Sequence, residues 1–372
     1  MKKISLIILS VLYCIFFMSG CAPKAPDKIG IVHAVGIDPS KDGGFTVSFQ
    51  IFRVSSSGSQ TPIDPSKTNI EVISSSSKTI EGAVEQCENQ IGKTLFFGHC
   101  QLLVINKKIE DIYSCLDFFV NNNDSSINMS VAATEDKAKN IINSDISSGT
   151  VAAETMKKIF DTSVNDGFAV ASEFMKVISA YIDTDATAVL PIMEKRSQAI
   201  SDKSKEGGEP AQDAVEINKA VLITNGKFSE TLEKEEVVGI NYYLGTIKNS
   251  DMIIDTSEEN ISVKIKSVKE ETYVDTHASD KIDFKRDITV RITLPKEKSK
   301  NIKNEIKTKA EQTIEKYINN AIDKTIVKNR ADVMNFIRYV RQNDYETYEK
   351  YSDDFEKLLE KIRPEVSVTA VF

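Results

Sequence analysis

The chain has no tryptophan and only three histidines, His33, His99 and His277, in no spacing that a metal site uses. A metal centre would need these distant imidazoles to converge, and the sequence offers no reason for that. Cysteine is scarce as well. Cys14 and Cys21 fall at the N-terminus, leaving Cys87, Cys100 and Cys115. An odd number without a Cys-x-x-Cys step argues against a disulfide framework and for buried structural thiols. There is no glycine-rich dinucleotide fingerprint and no Gly-x-Ser-x-Gly elbow. Nor is there an excess of positive charge: 47 Lys and Arg stand against 55 Asp and Glu, a net −8. Nucleic-acid phosphates demand clustered cations, so nucleic acid is excluded as a partner. The same acidity gives the chain no electrostatic hold on anionic lipid.

Two fragments resemble chemistry and fail on inspection. Ile91-Gly92-Lys93-Thr94 looks like the tail of a phosphate-binding loop, but the glycine needed five residues before Gly92 is Cys87. That motif also needs a strand before it and a helix after it, the reverse of the pattern here. His99 and Cys100 are neighbours in what reads as a strand, where adjacent side chains point to opposite faces. They would not form a thiol–imidazole pair. Carboxylates are abundant, but charged faces account for them. The sequence therefore reads as that of a non-enzyme.

Long apolar runs are missing except at the start. Lys2 and Lys3 precede an apolar run of 14 residues, Ile4 to Phe17. A membrane span needs about 20 residues; this length suits the h-region of a secretory signal. The run ends Met18-Ser19-Gly20-Cys21, which resembles a bacterial lipoprotein box with Met18 in the usual leucine slot. Residues 1–20 are then a signal peptide and Cys21 carries a covalent lipid, the only cofactor-like group expected. Each buried methylene contributes about 0.8 kcal/mol, so two acyl chains hold a protein at the bilayer where one does not. Residues 21–28 carry Pro23 and Pro26 and read as a short, stiff tether.

The remainder reads as mixed α/β (α+β), with sheets flanked by helices. An N-terminal α/β domain is expected over 29–145. It opens with a hairpin in which Phe45, Val47, Phe49 and Ile51 alternate with polar partners. A serine-rich loop over 55–68, a helix with Ile80, Ala83, Val84 and Cys87 on one stripe, and a buried strand "TLFFGHCQLLVI" follow. A middle domain over 146–257 contains an exposed loop at 196–212 and a hairpin turning at Asn225-Gly226. The C-terminal domain, 258–372, runs from alternating strands to three amphipathic helices. The last of these carries Tyr345 to Ile362 and is stopped by Pro364, before a final strand "EVSVTAVF".

Taken together these segments resemble the C subunits of bacterial spore germinant receptors, the Ger(x)C lipoprotein family. The likeness covers nearly all of the chain after Cys21. It rests on Val35-Gly36-Ile37-Asp38, on the strand with Phe97, Gly98, His99 and Gln101, and on the helix with Glu235 and Gly239. Ala22-Pro23-Lys24 follow the cysteine where members often carry tryptophan and aspartate. The resemblance implies an elongated, non-catalytic lipoprotein of three mixed α/β domains on the outer face of the spore inner membrane. Its partners would be the receptor's A and B membrane subunits, and its role assembly or signalling that triggers germination. The matched residues would then be structural or contact a partner. The alternative is a solute-binding lipoprotein of an uptake transporter, which should show two similar lobes around an aromatic cleft.

Overall fold

The computed structural model describes residues 28–52, 70–144, 152–182, 187–197, 213–276 and 281–372. The signal segment, Cys21 and nearly all of its tether, the 55–68 loop and all but the first two residues of the 196–212 loop lie outside the described residues. The fold is mixed α/β: two sheets, ten helices among the described residues, and a terminal strand.

The larger sheet has nine strands. They are β1 (Ile29–Pro39), β2 (Phe45–Phe52), β3 (Ile70–Ser77), β4 (Thr94–Phe96), β5 (Leu102–Asn106), β6 (Ser130–Thr134), β7 (Ala188–Ser197), β8 (Asp213–Thr224) and β9 (Lys227–Leu232). The order is β3-β2-β1-β5-β6-β7-β8-β9, with β4 beside the start of β1. The parallel neighbours β1, β5 and β6 are buried on both faces, as short continuous apolar strands should be. Helices α1 (Ile80–Ile91), α2 (Ile112–Asn121) and α5 (Phe174–Ile182) cover one face through residues such as Ile80, Leu116 and Val177. Helices α3 (Ala138–Ile142) and α4 (Ala152–Asn165) cover the other through Ile141, Met156 and Phe160. Strands β7 to β9, from the stretch expected to form a middle domain, hydrogen-bond onto this same sheet.

The second sheet runs β10 (Ser250–Asp255), β11 (Asn260–Asp275), β12 (Ile282–Thr293) and β13 (Ile362–Val371). Strand β12 alternates buried and exposed without a break. Against the sheet lies α7 (Lys300–Ile322), capped by the Ser299 hydroxyl and burying Ile302, Ile306, Ala310, Ile314 and Ile318 at four-residue steps. Helix α6 (Lys234–Tyr243) packs between α7 and the back of β8 and β9, so one apolar core runs from Ala220 and Leu222 across to Val263 and Val290.

Three expectations need correction. "TLFFGHCQLLVI" is two strands, not one: residues 97–100 leave the sheet between β4 and β5. The alternation argument for His99 and Cys100 therefore does not apply, although the outcome is the same, with Cys100 buried and His99 exposed. The helix through Tyr345 to Ile362 is likewise two, α9 (Tyr345–Lys350) and α10 (Phe355–Lys361), after α8 (Phe336–Asn343). Asp354 ends the break by accepting from the Lys357 N–H. Pro364 does not stop a helix; it sits inside β13, an edge strand where a missing N–H is tolerated. Strand β1 also carries a bulge between Val32 and Ala34, which puts Val32, Val35 and Ile37 on one face.

Candidate functional site

The motif residues fall into three places. In the first, Gly36 and Asp38 sit on β1 beneath α3. A Cβ on Gly36 would come within 2.9 Å of the Ala138 carbonyl carbon, so only glycine lets the helix backbone lie against the strand. Asp38 then caps that helix from a hundred residues away. Its Oδ1 accepts from the Ala138 N–H at 2.8 Å and its Oδ2 from Lys139 N–H at 3.1 Å. Lys137, the residue that precedes the helix, makes no side-chain cap of its own. Asn106, at the end of β5, donates to Asp38 Oδ1 at 3.1 Å and to the Asp136 carbonyl at 2.7 Å. Strand, helix and loop are thus tied by one buried carboxylate.

The second place is the turn over 97–101. Phe97 is buried and meets Phe49, Phe118 and Phe119 edge to face, with centroids 5.4 to 6.0 Å apart. Such pairs contribute about 0.5–1.5 kcal/mol each beyond their buried area. Gly98 is exposed, and the Phe96 ring lies where its Cβ would be. His99 is exposed with its ring edge-on to Phe96 at 5.9 Å. Gln101 works through its backbone: its N–H donates to the His33 carbonyl and its carbonyl accepts from Ser130, both at 2.9 Å. His33 itself is held below the ordinary imidazole range by burial, against the opposing pull of Glu154.

The third place is α6. Glu235 is exposed in its first turn. Gly239 lies against α7, where a Cβ would stand 2.5 Å from the Tyr317 carbonyl carbon and closer still to its oxygen. Asn241 donates from Nδ2 to the Gly167 and Ala169 carbonyls, both at 3.0 Å, joining α6 to the chain before α5. Sequence reading missed Arg286, which closes the other end. From β12 it donates to the Tyr243 carbonyl from Nε at 3.1 Å and Nη2 at 2.6 Å. Its Nη1 reaches the Tyr339 hydroxyl at 2.8 Å and the Thr272 hydroxyl. Glu270 lies 3.6 Å away. The two-residue alternation of Ile288, Val290 and Ile292, continued backwards, would have placed Arg286 on the buried face.

Beside α6 the two sheets meet. The Thr187 N–H donates to the Asp332 carbonyl at 3.3 Å, and the Asp332 carboxylate accepts from Phe336 and Ile337 N–H at 2.9 and 2.7 Å, starting α8. Burial pushes this carboxyl up to about 6, over the opposing effect of its backbone donors. The folded protein thus takes its proton before the unfolded chain does. The stability this adds is full below about pH 4 and is lost as pH rises through 6, about 3 kcal/mol in all. Urea midpoints should therefore fall from pH 4.5 to pH 7 by an amount that Asp332→Asn abolishes; parallel pH dependences in the two proteins would contradict this assignment.

Among the described residues no three His, Cys, Asp or Glu side chains are grouped to hold a metal ion. No helix among them is long and apolar enough to cross a membrane. Cys100 and Cys115 are buried, and burial lifts both thiols to about 12.

Residues 24–195 match the family model described as the spore germination protein N-terminal domain. Residues 218–371 match the model described as spore germination B3/GerAC like, C-terminal. Spore germination protein KC of Bacillus subtilis (strain 168) is 22% identical, over 96% of this chain and 92% of its own. The crystal structure of the GerBC protein superimposes with a TM-score of 0.56 over 91% of this chain and 97% of that one, at 13% identity, a likeness of fold.

Proposed function

The chain belongs to the Ger(x)C family of spore germination proteins, and from that premise we propose that it is the lipid-anchored C subunit of a nutrient germinant receptor. It carries no chemistry of its own and serves the assembly or signalling of the membrane-embedded A and B subunits. Its place is the outer face of the spore inner membrane, held by acyl chains on Cys21. The observation that carries this reading is how the motif residues are used. Gly36, Asp38, Phe97 and Gly239 join strand to helix and helix to helix, while Gly98, His99 and Glu235 face solvent. None of them converges with another on a cavity. A module built this way offers surfaces rather than a reaction. The two sheets, nine strands and four in different orders, also weigh against a binding protein of two similar lobes.

The test compares immunoblots of inner membranes from dormant spores and of membranes from growing cells, for the native chain and Cys21→Ala. The native chain should be confined to spore membranes and the variant should leave them. Abundant protein in growing-cell membranes would overturn the receptor reading. A variant that stays membrane-bound would overturn the lipid anchor.

A further inference from the structure

Where the two sheets meet, the surface opens into a groove of about 1000 Å3. One wall is α5, which contributes Met175, Lys176 and Ser179; the other is α8 and the start of α9. On that second wall Arg338, Arg341 and Gln342 share one face of α8, and Tyr345 opens α9 beyond the break at Asp344. The floor is the start of β7 and the end of α6, with Val177, Val189 and Val333 beneath. The charge is one-sided. The lining carries Lys176, Arg338 and Arg341 and no carboxylate, in a chain of net −8. Lys176 is paired with Glu173 at 2.8 Å, and Arg341 lies over the Tyr348 ring at 5.4 Å. Arg338 is exposed and makes no ion pair among the described residues. Met175 and Tyr345 stand 48% and 61% exposed at the rim.

We infer that this groove docks an acidic amphipathic helix of a partner protein, an inference that rests on the reading that the chain works within a complex. Charge complementarity selects the partner: Arg338 and Arg341 face the cleft from α8, Lys176 stands opposite although already paired with Glu173, and no carboxylate lines the groove. The walls are helices of nine and eight residues, roughly 12–14 Å long, which accommodates two to three turns of an incoming helix. Cations on opposite walls of so open a cleft do not converge on one small anion. Arginine, tyrosine and methionine, which line this groove, are residue types that interfaces favour. The helix would lie across the junction of the two sheets and so report on their relative position.

The experiment places p-benzoylphenylalanine at position 175 of the full chain in spores, irradiates, and identifies the cross-linked peptide by mass spectrometry. The expected product is a helix-forming, net-acidic segment of another protein. Its yield should fall at least tenfold in the Arg338→Glu, Arg341→Glu double variant and stay within twofold in Lys266→Glu, Lys269→Glu, an equal charge change on exposed β11 positions. If the glutamate variant fails to accumulate, Arg338→Gln with Arg341→Gln carries the same expectation. Cross-links to lipid, to a second copy of this chain or to a neutral or basic segment would overturn the inference, as would no cross-link or an unchanged yield. The receptor reading would survive any of these results if the native chain still fractionates with spore membranes.

Discussion

Gly239→Ala is expected to destabilise the protein by about 3 kcal/mol or more, against the direction helix propensity dictates. Exchanging glycine for alanine inside a helix ordinarily gains up to about 1 kcal/mol. Here the added methyl would meet the Tyr317 carbonyl and the Ile318 nitrogen, the latter at 3.0 Å. These are backbone atoms of a 23-residue helix whose own apolar face is already packed on a sheet. A side chain can rotate out of the way; a helix backbone must translate, and every contact of Ile314 and Ile318 would move with it. Gly82 gives the contrast. Its nearest neighbour would be the Ser77 hydroxyl, the movable end of a side chain, and Gly82→Ala should stay within about 1 kcal/mol of the parent. Urea unfolding followed by tyrosine fluorescence, which the lack of tryptophan leaves unobscured, compares the two. A Gly239→Ala midpoint at or above that of the parent would show that α6 and α7 do not touch as described.

How far the sequence shows this arrangement depends on the range of the interaction. Local patterns carry well. The Asn225-Gly226 turn folds with positive φ at both residues, as a two-residue hairpin requires. The first of the three amphipathic helices expected after the strands forms as α7, with Ile302 to Ile322 on its buried face. The helix through Glu235 and Gly239 forms as α6, buried from Val237 to Tyr243. Alternation fails where a single residue is inserted, as at the β1 bulge, because one extra residue exchanges the faces of everything before it. It fails again at Phe97 to Cys100, where the chain turns out of the sheet between β4 and β5 and Phe97 enters the aromatic cluster. The site residues show the same limit. Gly36 and Asp38 are recognisable as a motif, yet the helix they receive lies a hundred residues on, and no pattern in the sequence pairs them. The groove is less legible still, since its two walls come from segments more than 150 residues apart.

Arg286→Ala should cost about 3–5 kcal/mol, the range found when one partner of a buried charged network is removed. The guanidinium takes the last-turn carbonyl of Tyr243, one of the acceptors every helix leaves without an internal partner, and brings positive charge to the negative end of α6. It also stacks on the Tyr243 ring, 4.6 Å from its centroid, and fixes the Tyr339 hydroxyl of α8. One side chain therefore holds the second sheet to both helices at the junction. Alanine would remove the packing and leave that carbonyl and two hydroxyls without their donor. Methionine would refill most of the volume but supply no donor, and lysine would keep the charge but could not serve so many acceptors from one ammonium. Both should fall between alanine and the parent, at about 1–3 kcal/mol. The ordering separates two accounts of the residue. If methionine proves as stable as arginine, the site is held by packing alone and the helix cap contributes nothing. If methionine and lysine both lose stability, hydrogen exchange at the end of α6 should accelerate more than in β1 and β5, because the cap fails before the sheet does.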